Sequence, residues 1–168
     1  MMLEKFEASV RMLLNSVPAM TLATCANGTA WATDVYFAAY GYELVFFSSP
    51  ASRHCKNLNA NPACAATVHP EAASWRDIRG LQMDGLAEPV ETVEAKARAL
   101  TAYFTKFPFA RDLMSNPGNL ASKFGDVSAH VFRPSRIRYL DNTLGFGTRL
   151  AIRLENGMPA GPPEHEAV

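Results

Sequence analysis

Residues 20–48 read MTLATCANGTAWATDVYFAAYGYELVFFS. Met20 to Thr24 alternates apolar and polar side chains, the rhythm of a half-buried strand. Asn27-Gly28 is the dipeptide of a tight hairpin turn. Thr29 to Tyr40 is rich in β-branched and aromatic residues and predicts a long second strand. Gly41 turns the chain again, and Glu43 to Ser48 predicts a third strand. Two hairpins in succession make an antiparallel meander.

The flanking sequence extends this pattern. Upstream, Leu3, Phe6, Val10, Leu13 and Leu14 recur at helical spacing, predicting an amphipathic helix over 3–15 that Pro18 ends. Downstream, residues 50–60 predict a short helix with Ser52 as a capping candidate, stopped by Asn61-Pro62. Ala63 to His69 and Ile78 to Val90 predict two more strands, with Gly80 and Gly85 as bulges or close-approach points. Thr92 to Lys106 predicts a helix capped by Thr92, with Val93, Ala97, Leu100 and Phe104 as its apolar face. Residues 107–125 read as mixed loop and short helix. Ser128 to Leu140 predicts a sixth strand broken at Pro134, followed by Asn142 to Leu154.

Antiparallel strands with a few interspersed helices predict a mainly β fold, a six-stranded antiparallel barrel or strongly curved sheet. Residues 1–154 read as one domain. The remainder, 155–168, holds three prolines and few apolar residues, and is expected to be disordered or draped on the surface.

The composition narrows the function classes. Of 168 residues 48% are apolar, enough for a core, and 16 basic residues balance 16 acidic ones. That balance argues against a nucleic-acid binder. No apolar run approaches the ~18 residues of a membrane-spanning helix, and the N-terminus does not read as a signal peptide. Cys25, Cys55 and Cys64 form no CxxC pair, so reduced thiols in a cytoplasmic protein are expected. A phosphate-binding P-loop and a GxGxxG fingerprint are both absent.

The chemistry concentrates in residues 46–57, FFSSPASRHCKN. A strand end passes through two serines into a helix start that carries Arg53, His54 and Lys56. Cations near a helix N-terminus are disfavoured by about 0.3–1 kcal/mol each, because that end already carries partial positive charge. A phosphate dianion resolves the conflict, since free amides, hydroxyls and an arginine fork all donate to it. The alternative is that Arg53 and Lys56 are solvated surface residues.

Four stretches together resemble the pyridoxamine 5'-phosphate oxidase-like family of FMN-binding split barrels. They are MTLATCANGTAWATDVYFA (20–38), ELVFFSSPASRHCKNLNANPACAATV (43–68), IRGLQMDGLAEPVE (78–91) and VFRPSRIRYLDNTLGFGTR (131–149). The resemblance covers about Pro18 to Arg149 and points to a small, uncharacterised member. It implies a homodimer with FMN at the subunit interface. By resemblance, Ser48 and Ser49 contact the ribityl chain or ring, and Ser52 and Arg53 contact the phosphate. His54 stands where the family often has lysine, and Lys56 is a substitute cation. Thr33, Val35 and Tyr36 match the strand beside the ring, with Thr33 where the family often has arginine. Gln82 replaces a family glutamine that would fall at Gly80. Tyr139, Asn142, Gly147 and Arg149 are candidates from the partner subunit. Trp75 is a ring wall or, by preference, a core aromatic. The arginine–histidine substrate clamp of the oxidase itself is missing between Leu140 and Leu154.

Three functions follow from these readings. The first is an FMN-dependent oxidoreductase on a small substrate. The second is a non-catalytic flavin carrier, sensor or haem protein, with His54, His69 or His130 as iron ligand. The third is a barrel that has lost its cofactor. A metal site at His54, Cys55, Cys64 and His69 fits no zinc spacing, and no acid–base pair emerges from Asp34, Glu71, Asp77, Asp112 and Asp126. Phe104, Phe107, Phe109 and Met114 line a substrate pocket or, as the preferred reading, pack in the core or an interface.

Overall fold

A computed structural model describes residues 1–115 and 127–166. The predicted meander is present as β1 (Ala19–Ala26), β2 (Thr29–Tyr40) and β3 (Glu43–Ser48). Asn27 and Gly28 both take positive φ, 51° and 72°, as a two-residue hairpin turn requires. Next come α2 (Arg53–Ala60), β4 (Ala63–Val68), β5 (Arg79–Pro89) and β6 (Ser128–Asp141), and the N-terminal helix α1 spans Leu3–Ser16.

Strands run in the order β3-β2-β1-β4-β5-β6, and β6 returns to pair with β3, so six antiparallel strands close a ring. The six-stranded barrel read from the sequence is therefore correct, but the sheet is larger. β7 (Arg149–Glu155) adds to the far edge of β6, and two-residue strands β8 (Met158–Pro159) and β9 (Glu164–His165) pair with β7. Glu166 then accepts hydrogen bonds from both Arg136 and Arg138 of β6.

The sixth strand is not broken at Pro134. It runs unbroken through that residue because a register shift between Asp84 and Gly85 sets Pro134 opposite Gly85. A bulge tolerates a residue with no N–H. Gly85 is required there, since a side chain on it would collide with the Arg133 carbonyl.

Two cores result. The barrel interior holds Leu22, Phe37, Leu44, Phe46, Phe132 and Ile137, closed at one side by Phe6, Val10, Leu13 and Leu14 of α1. Each such side chain contributes about 1.5–3 kcal/mol on burial. The second core lies outside the barrel, where α3 (Val93–Lys106) covers Ala38, Val45, Ala129 and Val131. Thr92 caps α3 as expected, accepting from the Ala95 amide at 3.2 Å. The buried stripe of α3 differs from the expected one. Ala99 is buried, with Ala95, Ala102 and Tyr103 beside it, whereas Val93 is 78% exposed. Small alanines let the helix lie close to the sheet, and hydrophobicity alone did not mark them. α4 (Pro108–Ser115) follows. No helix among the described residues is long and apolar enough to cross a membrane.

Lys106 ties the two cores together. Its ammonium donates to the Leu14 and Val17 carbonyls at the C-terminal end of α1, 2.7 Å each, and sits 3.7 Å from the Phe37 ring centre. α1 has no basic residue of its own in its last turn. Burial lowers the Lys106 pKa to about 8. Its unfolded pKa is higher, so the folded chain holds fewer protons above pH 8 and stability from this group rises with pH there. Replacing Lys106 with Met is expected to cost about 1–3 kcal/mol, the penalty for stranding buried carbonyls. In urea unfolding at several pH values, the wild type should gain stability over K106M from pH 8 upward. A pH-independent difference would show that the amine is not desolvated.

Candidate functional site

β3 ends at Ser48, and the chain turns through Ser49 and Ser52 into α2. Ser52 is the N-cap: its hydroxyl accepts from the Cys55 amide at 3.4 Å. Asn57 on the same helix donates to Thr24 of β1 at 3.0 Å, and Leu58 enters the barrel core. These inward contacts fix α2 across the barrel end and leave Arg53 and Lys56 of its first turn exposed. The amides of that turn have no intrahelical acceptor.

His54 is buried, with Nε2 2.6 Å from Ser48 Oγ and 3.2 Å from Ser52 Oγ. Burial, and then neighbouring His130, pushes its pKa below the ordinary histidine value. A neutral imidazole thus orders two hydroxyls at the mouth of the helix. Ser49 Oγ accepts from the Ala51 amide at 3.3 Å. Arg53 and Lys56 are exposed, and among the described residues neither has an ion-pair partner. Arg53 places its guanidinium carbon over the Trp31 ring, 4.4 Å from the ring centre.

A cavity of about 380 Å³ opens from Ser48 and His54. Asp34 to Tyr36 of β2 form one border, while Phe47, Leu100, Tyr103, Phe104 and Phe109 give it aromatic and apolar walls. Tyr36 meets the rings of Phe107 and Phe109 edge-on, at 5.4 and 6.5 Å. Phe107 is buried as expected, and Phe104 and Phe109 line this cavity, the pocket alternative for these rings. Met114, Asp112 and Asp126 lie outside the described residues or side chains.

The sequence candidates divide into two groups. Ser48, Ser49, Ser52, Arg53, His54, Lys56, Val35 and Tyr36 surround the β3–α2 junction and its cavity. Thr33 shares the inward strand face with Val35, opposite Leu22 and Met20, whereas Asp34 and Tyr36 face outward. Gln82, Tyr139 and Arg149 lie elsewhere in the chain. Gln82 is exposed on β5 beside Thr67 and Arg138. Tyr139 is enclosed in the core, donating to Asp141 at 2.6 Å; burial and this bond raise its pKa to about 12. Arg149 Nε is buried with no hydrogen-bond partner among the described residues. Asn142 holds its loop by donating to the Trp75 carbonyl and accepting from the Gly147 amide.

Trp75 is not a core residue. It is 49% exposed, packed edge-on to Phe146, which is 82% exposed. Its 3-10 turn, Trp75–Asp77, leaves the ring on the surface. Sequence reading also overlooked Trp31, Tyr103 and Asp34 as neighbours of the junction. Trp31 has a legible signal, an aromatic two residues before Thr33 and so on the same strand face.

A family model described as pyridoxamine 5'-phosphate oxidase matches residues 6–141. The protein UPF0306 YhbP of Salmonella schwarzengrund is 30% identical over 126 residues, covering 74% of this chain and 77% of that one. The solved structure of a haem-binding protein from Mycobacterium smegmatis superposes with a TM-score of 0.69 at 24% identity, covering 86% of this chain and 56% of that one. An FAD-binding protein from Mesorhizobium loti superposes with a TM-score of 0.60 at 17% identity, covering 77% and 90%. The barrel is of the split type these neighbours share. By the span of that match and the closure of β3 on β6, the chain belongs to the pyridoxamine 5'-phosphate oxidase family.

Proposed function

We propose that the chain binds FMN as a cytoplasmic homodimer, with the flavin shared between subunits, and acts as a flavin-dependent oxidoreductase on a small substrate. The β3–α2 junction carries this reading. It presents a helix start capped by Ser52, three serine hydroxyls and two cations with no acidic partner among the described residues, beside an aromatic-walled cavity. A phosphate takes its place among the hydroxyls and amides, with Arg53 and Lys56 balancing its charge. Each serine hydroxyl has one proton to give, so one of Ser48 and Ser52 donates to the phosphate while neutral His54 accepts from the other. The walls of Tyr36, Phe47, Tyr103 and Phe109 suit a flat conjugated ring and keep water from it. Bound there, FMN supplies the redox chemistry, and the protein supplies position and hydrogen bonds.

A second subunit accounts for the remaining candidates. The outer face of β1, β2, β4 and β5 is exposed and carries Ala23, Ala32, Ala65 and Thr67, small enough for another sheet or ring to approach closely, with Gln82 beside them. The exposed Trp75–Phe146 pair and the orphaned Nε of Arg149 are groups suited to a surface that a partner completes.

Haem is the second reading, because the Mycobacterium smegmatis neighbour is described as haem-binding. The histidines favour flavin. His130 is buried, stacked 5.2 Å from the Phe46 ring, and His54 is engaged by two serines, which leaves only His69 exposed of the three.

Purified protein is expected to be yellow, or to become so with added FMN, and NADH or NADPH should bleach it anaerobically. A colourless protein that ignores FMN in calorimetry removes the reading, and a Soret band on adding haemin would put haem in its place. Arg53→Ala is expected to weaken FMN binding by about 1.5–3 kcal/mol, the worth of hydrogen bonds to a charged group. Unchanged affinity would reject Arg53 as a phosphate contact. Dilution to monomers, followed by sedimentation, should release flavin; a monomer that keeps it would contradict a shared site.

A further inference from the structure

Arg53 is held by an aromatic ring. Its guanidinium carbon lies 4.4 Å from the Trp31 ring centre, and no carboxylate pairs with it among the described residues. Trp31 stands opposite Thr24 in the β1–β2 ladder. Thr24 is in turn bonded to Asn57 of α2, so the ring lies on the strand face that α2 packs over. Thr33 shares that face two residues along and offers no charge. The cation for an anion at this end of the barrel therefore comes from the helix, and β2 contributes the surface that aims it.

Stacking engages the flat face of a guanidinium and leaves its in-plane N–H groups free. An unrestrained arginine carries much rotamer entropy, which is lost when it clamps a ligand. An arginine already laid on a ring has lost part of that freedom before the ligand arrives, and its N–H edge stays available for two parallel hydrogen bonds.

We propose that Trp31 is a positioning residue for anion binding: its ring holds Arg53 with the guanidinium edge presented to a phosphate at the start of α2. This rests on the junction being the FMN phosphate site. Trp31 does not touch the phosphate, and its whole effect passes through Arg53.

The test measures FMN affinity by quenching of flavin fluorescence in the full-length wild type, W31L, W31F, R53A and the W31L/R53A double variant. From the energy of an exposed cation–aromatic contact, W31L should bind FMN about 2- to 5-fold more weakly. W31F keeps a ring face and should recover most of that loss. In the R53A background W31L should cost nothing more, because the group it positions is gone. Wild-type affinity in W31L, or an equal loss with and without Arg53, would overturn the inference while leaving the phosphate site standing. If R53A itself binds FMN normally, or the wild type binds none, the site reading fails and the role of Trp31 falls with it. Should W31L misfold, W31F against R53A/W31F gives the same comparison on a smaller scale.

Discussion

The ladder between β3 and β6 is the contact on which the rest of the molecule depends. Leu44 pairs with Phe132, Phe46 with His130, and Ser48 with Ser128. The two strands are some eighty residues apart in the chain, so their pairing closes a long loop at an entropic cost set mainly by chain length. The return is a barrel without an open edge between them, and an interior in which Phe46 and Phe132 are fully buried. The same ladder fixes where β3 stops. Its last pair is Ser48 with Ser128, and beyond it the chain is free to turn into α2.

That turn concentrates polarity at the barrel end. A helix start, three serines and two cations stand together, and the buried imidazole of His54 adds an uncharged ring nitrogen within reach of two of the hydroxyls. Burial keeps His54 neutral, so it organises hydroxyls without adding to the positive charge. Arg53 and Lys56 then supply charge from the exposed side, where water screens it. Outside the barrel, α3 packs its alanine stripe on the sheet and turns Leu100, Tyr103 and Phe104 toward the same junction. Polar and apolar halves of one cavity thus come from elements with unrelated duties in the fold.

Most of the architecture was legible in the residues because local and global preferences agree. Alternation and turn dipeptides located the strands, and Ser52, Thr92 and Asn27-Gly28 mark their caps and turn where expected. The errors share one cause. Pro134, the buried face of α3 and Trp75 were each judged by intrinsic preference, and in each the neighbouring element decided. A glycine across the ladder admitted the proline, a close sheet favoured alanine over valine, and a short surface turn left the tryptophan without a core to enter.

For the site, the sequence by itself determined which side chains stand together: serines, an arginine, a histidine and a lysine crowded at a helix start. Adjacency in the chain was enough, because a helix start gathers its first residues within one turn. What only the tertiary structure decided was the company this cluster keeps. Trp31, Tyr36, Tyr103 and Phe109 come from a hairpin and two helices that meet there through barrel closure and helix docking. Tyr139 and Arg149 were also placed by packing, one enclosed in its own core and the other left with a buried, unmatched nitrogen. Long-range contacts of this kind leave no periodic trace in a single sequence, since they depend on which surfaces remain uncovered after every local preference has been met.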